Sequence, residues 1–461
     1  MPSALPHGFN APAFFRLALP MIVSRAGLAA MDIADGIMVA RYSPHQFAWL
    51  SMAEGTLARI LDIFIAFLIG GLSLVPRHFS QGDATGARII WLRTIPVALA
   101  LGGVSIVVTL FGTLFLSLLG QKPELASGAG AVTALLGAGY PAALLAISAA
   151  LYLEGINQPK LVAVSVVAAN LLNLVFNWVL IGGHLGFHAM GARGSALSTT
   201  LVRWLLCFTL VGGAWLLHSA SSLPVNADDY ATERAMSKRS QWKLGLSAAT
   251  TVSVMVVLSS SLTVFAGWLG TLPLAVFAAS WSVASPAGLV ALGMADAAGI
   301  YVASEGGRAG DRSAAAVAWA SLRVTLAPVT VLVSGLFIGA GSLAAMYTKD
   351  TAMRMAMGSV IPIVALIVLA DCAGFVMASS LRSVRESGWP ASIEIGSMLL
   401  LVPLALSLAI RNGYGIRGLF VAMLCTSCLR AGALALRFWW RTRSAAVNPD
   451  APVHDWSFNA E

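Results

Sequence analysis

Five aspartates lie inside long apolar stretches of the sequence, where a charged side chain needs a specific reason to be present. A charge in hydrocarbon is costly, so acids at such positions pair with a base, bind an ion or carry protons. Burial favours the neutral carboxyl group, which allows a buried aspartate to take up a proton and later release it. Sodium binding is the other chemistry these acids support, and pairing with Arg25 or Arg59 is the structural alternative. The five acids are Asp32, Asp35, Asp62, Asp296 and Asp371.

Amide and hydroxyl side chains occupy two further apolar stretches. Asn173 and Asn177 are four positions apart, so they share one face of a helix. Their amides can hydrogen-bond a carboxyl group or ligate a cation through oxygen, or they can simply join two helices, as membrane asparagines often do. Ser198, Thr199 and Thr200 can complete the same polar pocket or bond only to nearby backbone. The sequence leaves both pairs of alternatives open.

Other motifs are less informative. Cys425 and Cys428 have redox-motif spacing, but they lie in an apolar stretch, so we expect packed small residues and no disulfide framework. His184 and His188 flank a short loop without an apparent third metal ligand, and no metal site is predicted. The sequence has no P-loop lysine motif, H-E-x-x-H or G-x-S-x-G, so ATP-driven transport and hydrolysis have no support.

Composition indicates which elements must position these side chains. Of the 461 residues, 58% are hydrophobic and 10% are charged, with a mean hydropathy of +0.82. Soluble domains carry about 25% charged residues, and a membrane span takes about 20 apolar residues. These values exclude an ordinary soluble enzyme and predict an all-α polytopic membrane protein. We assign the net charge of +8 to loops that set topology rather than to nucleic-acid binding.

Apolar runs separated by Gly, Pro and charged residues predict twelve transmembrane helices. They lie near residues 13–40, 46–75, 89–119, 127–152, 160–183, 192–217, 242–269, 273–303, 314–345, 353–380, 390–410 and 417–440.

The longest polar interval divides these helices into six and six. The predicted N-lobe is 1–217 with helices 1–6, a cytoplasmic loop of 218–241 follows, the C-lobe is 242–440 with helices 7–12, and 441–461 is a cytoplasmic tail. With both termini inside, the inner connections and tail carry roughly twice as many Lys and Arg residues as the outer connections, which supports this orientation.

The two halves also repeat. SQGDATGAR at 80–88 parallels SEGGRAGDR at 304–312, and GARG at 191–194 with Arg203 parallels GIRG at 415–418 with Arg430. A shift of six helices in the same orientation predicts two six-helix bundles related by a parallel pseudo-twofold axis around a central cavity, a design that secondary transporters often use.

The sequence resembles the multidrug and toxic compound extrusion (MATE) family, in particular its NorM-like bacterial branch, over nearly the whole chain. LALPMIVSRAGLAAMDIADGIMVARYS is similar to the family's first helix, with Asp35 in the place of its acidic residue. LEGINQPKLVAVSVVAANLLNLVFNWVLIGG followed by GARGSALSTT resembles the fourth-to-sixth helix signature. MYTKD and VLADCAGFVMASSLRSVRESGWP resemble the tenth-helix region, with Asp371 in the place of the family's Asp.

The resemblance implies an inner-membrane antiporter of a bacterium that expels bulky cationic or amphipathic compounds in exchange for protons or sodium, without a cofactor. The resemblance also implies that the cation pocket of the N-lobe is formed by Asp35, Asn173, Asn177 and Thr199. It implies that Asp371 is the acid of the C-lobe. The implied partners are a small-molecule substrate and membrane lipid, and a monomer suffices.

One departure from the family pattern bears on the coupling ion. The NorM-like branch usually has a Glu in the seventh helix, whereas residues 242–269 contain no acid and Met255 stands near that position. Asp296 occupies a position where the family tends to have a hydroxyl residue, so Asp296, and also Asp32, are candidate auxiliary acids. These departures favour proton coupling and a narrower, dedicated substrate.

Three alternatives remain. A flippase or exporter for a lipid-linked or natural-product cargo would favour an Arg-rich cavity to meet pyrophosphate, but basic residues within the predicted helices are few and balanced by acids. An integral-membrane enzyme would need a clustered acid–base or metal constellation at one membrane face, and none is apparent. A channel would not need titratable groups in both halves.

Overall fold

The computed structural model describes residues 11–80, 83–156, 158–219, 230–309, 311–383 and 388–447. These residues form α-helices joined by short turns. The helices are α1 (Ala11–Tyr42), α2 (Pro44–Gly55), α3 (Ile60–Leu72), α4 (Val75–Ser80), α5 (Ala84–Leu110), α6 (Gly112–Leu118), α7 (Pro123–Gly137), α8 (Tyr140–Gly155), α9 (Pro159–Gly182), α10 (Ala192–Ser219), α11 (Tyr230–Leu269), α12 (Thr271–Ala309), α13 (Asp311–Ile338), α14 (Ala340–Tyr347), α15 (Thr351–Ser383), α16 (Gly388–Ala405) and α17 (Gly415–Val447), with a 3-10 turn at Leu57–Arg59 and a π-helical segment at Leu406–Arg411.

Ten helices or continuous helical stretches among the described residues are long and apolar enough to cross a membrane. The pair α7 and α8, bent by 44° at its break, adds an eleventh when it is counted as one span. Helix α1, 32 residues long, stands where the sequence predicts the first span. The predicted all-α polytopic membrane fold is therefore confirmed.

Several predicted spans are interrupted helices. The second is α2 and α3 joined by the 3-10 turn, the third is α5 followed by α6, and the ninth is α13 followed by α14. At the first break Thr56 has φ −125° and ψ −95°, outside the helical region. Its hydroxyl donates a hydrogen bond to the carbonyl of Met52 at 2.5 Å. The breaks before α6 and α14 lie in apolar sequence, so hydropathy does not report them, whereas Glu54, Gly55 and Arg59 flank the first break.

Two predicted boundaries differ at the membrane surface. Residues 220–229 of the predicted central loop lie outside the described residues, but α11 already begins at Tyr230, inside that predicted loop. Helix α17 continues to Val447, past the predicted start of the tail, and residues 448–461 lie outside the described ranges.

The chain separates into two compact units. The Asp35 unit is Met31–Ala275, and the Asp371 unit is Met1–Ala30 with Val276–Glu461. This division by packing differs from the division by sequence, because α11 packs along α3 and so lies in the Asp35 unit. The lobe boundaries predicted from the repeat describe chain topology and remain a prediction.

Close helix crossings organise the Asp35 unit. A Cβ atom added at Gly70 of α3 would lie 2.5 Å from the carbonyl oxygen of Leu244, and one at Gly245 of α11 would lie 2.8 Å from that of Phe67. Glycine at both positions therefore lets the two backbones touch, as small residues do in membrane helix pairs. Trp91 of α5 stacks on Tyr152 of α8 at 4.8 Å between ring centroids.

The core of the Asp371 unit is made of buried apolar side chains from five helices. Phe14 of α1 is fully buried and meets the ring of Tyr301 edge-on at 6.0 Å. Met294 of α12, Met377 of α15 and Phe438 of α17 belong to the same cluster. This packing fixes α15 and α17, the helices that hold Asp371 and its partner.

Candidate cation-coupling site

A buried polar network surrounds Asp35 in the second half of α1. Asp35 is 2% exposed. One carboxylate oxygen accepts a hydrogen bond from the Asn177 amide nitrogen at 2.5 Å. The other accepts one from the Thr199 hydroxyl at 2.8 Å. Three helices therefore converge on one carboxylate.

A second layer of hydrogen bonds holds the two asparagines in place. The Asn177 amide nitrogen also donates to the side-chain oxygen of Asn173 at 3.0 Å. The Asn173 amide nitrogen donates to the Ser198 hydroxyl at 3.3 Å, and that hydroxyl donates to the Asn173 backbone carbonyl at 3.2 Å. Asn173 and Asn177 are 1% and 0% exposed. The predicted shared face of α9 is thus the face that meets Asp35 and α10.

The connection between α9 and α10 places these side chains. Gly183, in the left-handed conformation with φ +73°, ends α9. The backbone of Met190 then returns to the Leu180 carbonyl at 2.9 Å. Gly194 lies so close to α9 that an added Cβ would be 2.6 Å from the same carbonyl oxygen. The tight pairing of the two helices brings Ser198 and Thr199 level with the asparagines.

One buried acceptor in the network is unsatisfied. The Asn177 side-chain oxygen is buried and accepts no hydrogen bond from a described residue. An unpaired buried amide oxygen costs free energy, and here it lies on a residue that already contacts a carboxylate. The site therefore combines carboxylate, amide and hydroxyl oxygens, the ligands that hard cations prefer, with a carboxyl group that can bind a proton.

Asp371 has a different environment. Its carboxylate accepts a hydrogen bond from the Arg430 guanidinium at 2.6 Å, and the two side chains are 16% and 12% exposed. Arg430 also lies over the ring of Phe375 at 5.3 Å. A cation that approaches Asp371 must therefore compete with Arg430. Nothing in the sequence pattern indicates this pair.

The other intramembrane acids do not join the Asp35 network in the contacts described. Asp62 forms an exposed ion pair with Arg59 at 3.2 Å, the structural alternative stated from the sequence. Asp296 is half-buried in α12, within the Asp371 unit. The side chain of Asp32 lies outside the described part of the structure.

The structure distinguishes which hydroxyl side chains of α10 belong to the polar pocket and which bond to backbone. Thr199 contacts Asp35, and Ser198 contacts Asn173, so both complete the pocket. Thr200 instead donates to the carbonyl of Leu135 in α7 at 2.7 Å. The three consecutive residues point in different directions around α10, which the sequence alone does not resolve.

The repeat is visible in two corresponding arginines. The Arg203 guanidinium of α10 lies over the Tyr140 ring at 5.2 Å, and Arg430 of α17 lies over Phe375 at 5.3 Å. Each arginine comes from the sixth predicted span of its half and each ring from the fourth. The repeated sequence motifs pair the two arginines, whereas the two rings are identified only by the structure.

The cysteines and one further acid complete the description of the polar residues in the predicted spans. All four cysteines are free, with Cys425 and Cys428 exposed, so no disulfide joins that pair. Glu54, half-buried at the end of α2 beside the Thr56 break, is an additional acid within a predicted span. Its position inside the apolar run 46–75 was the signal that would have added it to the candidates.

Within the described residues, no three His, Cys, Asp or Glu side chains come together as a metal-binding group. His184 instead stacks on Trp178 at 4.2 Å between ring centroids. Its Nδ1 atom lies 2.7 Å from the Trp178 carbonyl oxygen.

Comparison with known sequences identifies the family. The MatE sequence profile matches residues 20–179 and again residues 248–406, which together cover more than half of the chain. The chain belongs to the MatE family. The second match begins 228 residues after the first, at positions 248 and 20, in agreement with the internal repeat. Members of this family are transporters and not enzymes.

Alignments with two named relatives cover almost the whole chain. The probable multidrug resistance protein NorM of Caulobacter vibrioides is 28% identical over 438 residues, covering 94% of this chain and 92% of that protein. The multidrug resistance protein NorM of Burkholderia vietnamiensis is 28% identical over 461 residues, covering 94% and 95%.

Solved MATE structures share the fold. An inward-facing structure of a multidrug resistance MATE family transporter of the MOP superfamily aligns with a TM-score of 0.82 at 17% identity, covering 95% of this chain and 99% of that one. A MOP superfamily transporter from Pyrococcus furiosus aligns with a TM-score of 0.69 at 19% identity, covering 94% and 96%. The two-lobe transporter fold predicted from the sequence is confirmed.

Proposed function

We propose that this MatE protein is a secondary antiporter that exports bulky cationic or amphipathic compounds across the bacterial inner membrane in exchange for protons. The observation that carries the proposal is the buried Asp35 carboxylate, held by Asn177 and Thr199 within a membrane-spanning bundle. The NorM relatives are named multidrug resistance proteins, which supports export of drug-like compounds.

Proton and cargo compete for the same charge in this scheme. The ionised carboxylate accepts from both Asn177 and Thr199 and attracts a cationic compound. The protonated carboxyl group is neutral and does not attract the cation. Proton binding therefore releases the cargo, and cargo binding releases the proton. Alternating access of the Asp35 region to the two membrane faces then converts the proton gradient into export.

The Asn177 amide can form a hydrogen bond with Asp35 in either protonation state of the carboxyl group. Its nitrogen faces the ionised Asp35. A half-turn of the amide plane would present its oxygen, which is the unsatisfied acceptor, to the proton of a neutral Asp35. The same side chain thus donates to the charged form and accepts from the neutral one.

Proton coupling is preferred over sodium coupling because α11 offers no carboxylate within its membrane span. The 242–269 segment contains no Asp or Glu, and Met255 stands near the position where the NorM-like branch has its Glu. In the other unit, the charge of Asp371 is already balanced by Arg430. Asp371 then acts with Arg430 as a switchable ion pair rather than as an open cation site.

Both termini lie in the cytoplasm, as the distribution of Lys and Arg between connections predicts. A single chain carries the Asp35 network complete, so a monomer is the functional form. The substrate is a small cationic or amphipathic molecule that reaches the protein through the lipid or the aqueous phase.

Efflux of a fluorescent lipophilic cation from reconstituted vesicles, driven by a pH gradient alone or a sodium gradient alone, tests the proposal. We expect export with the pH gradient in sodium-free buffer and none with sodium at equal pH. Asp35→Asn should lose at least about tenfold of the pH-driven rate, whereas Asp62→Asn, which removes an exposed acid, should retain it. Sodium-driven export at zero pH gradient would overturn the choice of proton.

A further inference from the structure

A cavity of about 280 Å³ lies between α3, α5 and α11, all within the Asp35 unit. It is separate from the Asp35 network, which α1, α9 and α10 form. Its walls are mostly apolar, and one guanidinium group supplies a charge. The lining residues are Phe67, Leu68, Gly71, Arg93, Thr94, Pro96, Val97, Gln241 and Trp242.

The helix crossing of α3 with α11 forms this cavity. The backbones touch at Gly70 and Gly245, and α5 supplies a further wall of the cavity. Gln241, 7% exposed, closes the far wall by donating from its side-chain nitrogen to the Ile90 carbonyl at 3.1 Å. Phe67 meets Trp242 edge-on at 5.4 Å. The walls are thus held in place by contacts independent of any ligand.

The cavity lies where three spans meet one membrane surface. The span Pro44–Leu72 ends there, Ala84–Leu110 begins nearby, and Gln241–Leu269 begins at the cavity wall. Trp242 is 49% exposed, as tryptophans at the headgroup level are, and Lys243 beside it is exposed. This is the level at which lipid phosphates lie.

Apolar side chains continue from the cavity towards the middle of the membrane. Leu99 is three positions beyond Pro96, and Leu246 is four positions beyond Trp242, so each lies on the same helix face as a lining residue. They are 48% and 64% exposed. Acyl chains can lie along these two residues while a headgroup occupies the cavity.

We propose that this cavity binds the headgroup of an anionic phospholipid, with Arg93 as the cation that meets its phosphate. Basic pockets between spans at the cytoplasmic surface recognise anionic lipids in this way, and guanidinium suits phosphate geometry. The proposal rests on the proposed function only for the orientation that makes this surface cytoplasmic. The apolar continuation and the interfacial Trp242 favour a lipid over free phosphate.

Native mass spectrometry of the purified full chain, delipidated and then exposed to equal amounts of phosphatidylglycerol and phosphatidylcholine, tests the site. We expect wild-type protein to retain phosphatidylglycerol preferentially. Arg93→Gln should weaken that preference about fivefold, the contribution of one basic residue near a membrane surface. Val97→Trp, which fills the cavity without changing charge, should abolish it.

Lys160→Gln is the matched control, because it removes one exposed positive charge at the same membrane surface of the same unit but lies outside the cavity. Its preference should equal that of the wild type. Equal loss in Lys160→Gln and Arg93→Gln would reduce the effect to overall charge and overturn the site. Equal retention of both lipids by the wild type would also overturn it.

Photo-crosslinking of wild-type protein with photoactivatable phosphatidylglycerol requires no variant to fold. Crosslinks are expected in the segments 67–71, 93–97 and 241–246, and crosslinks confined to other segments would contradict the proposal.

A rise in melting temperature with millimolar inorganic phosphate, without any phosphatidylglycerol preference, would assign the cavity to a free anion instead. All of these experiments measure lipid or phosphate binding, so their results do not depend on whether the protein exports cations.

Discussion

The Asp35 carboxylate and the Asn177 amide nitrogen are 2.5 Å apart although 142 positions separate them in the chain. Both side chains are almost completely buried. The Thr199 hydroxyl completes the contact on the other carboxylate oxygen. Three spans are therefore joined at a single titratable group, so a change in its protonation alters hydrogen bonds to two other helices.

Thr199→Val is expected to weaken binding of a fluorescent cation about tenfold or more. The variant keeps the side-chain shape but removes a hydrogen bond to a charged group, which contributes about 1.5–3 kcal/mol. The ionised Asp35, the form that attracts the cation, loses one of its donors. Fluorescence titration of purified protein measures the affinity. Thr199→Ser keeps the hydroxyl and should bind like wild type, and equal loss in both variants would contradict this role.

Arg430→Gln is expected to destabilise the protein by about 3–5 kcal/mol, because it leaves a largely buried carboxylate without its cation. The double variant Asp371→Asn with Arg430→Gln removes both charges and should recover most of that loss. Thermal unfolding in detergent checks both. If the double variant were as unstable as Arg430→Gln, the pair would not account for the stability of this region.

Gly70→Leu is expected to destabilise the packing of α3 against α11 by about 1–3 kcal/mol. A side chain there meets the backbone of Leu244, which cannot move without displacing α11. Gly103→Leu is the matched control in α5, since an added Cβ at Gly103 meets nothing within 4 Å. The two melting temperatures should differ clearly, and equal values would contradict the close crossing.

The cation affinity is expected to increase with pH, by at most about tenfold per pH unit, while protons and cation compete for Asp35. One proton released per bound cation sets that limit, because a tenfold change in equilibrium constant corresponds to about 1.4 kcal/mol. Titrations of wild-type protein at several pH values measure the slope. Asp35→Asn should show a flat profile over the same range, and a matching slope in that variant would place the competing proton elsewhere.

Much of this arrangement follows from sequence, and the reasons for the rest are physical. The four-residue spacing of Asn173 and Asn177 predicts their shared face, and hydropathy predicts the spans. The partner of that face is not encoded locally: only the family resemblance linked it to Asp35, because helix rotation and neighbour choice depend on packing such as that at Gly194. Likewise, Asp371 and Arg430 are 59 positions apart, and no local pattern indicates that they face each other.

Interrupted helices mark a second limit of sequence reasoning. The break at Thr56 contains no proline and lies inside a stretch that hydropathy predicts as one span, so only Gly55, directly before it, is a local signal for a helix end. The packing of α11 with the Asp35 unit is also invisible to a division by repeats. Sequence repeats indicate the order of equivalent helices along the chain. The compact units depend on which helices pack against each other in the fold.

Proton release on cation binding measures the exchange of proton for cation at Asp35 itself. Purified protein in weakly buffered detergent is mixed with a lipophilic cation, and the pH change is followed with an indicator dye. We expect about one proton to be released per cation bound by wild type, and none by Asp35→Asn even at cation concentrations that saturate the protein. Undiminished proton release from Asp35→Asn would show that Asp35 is not the group that exchanges the proton for the cation.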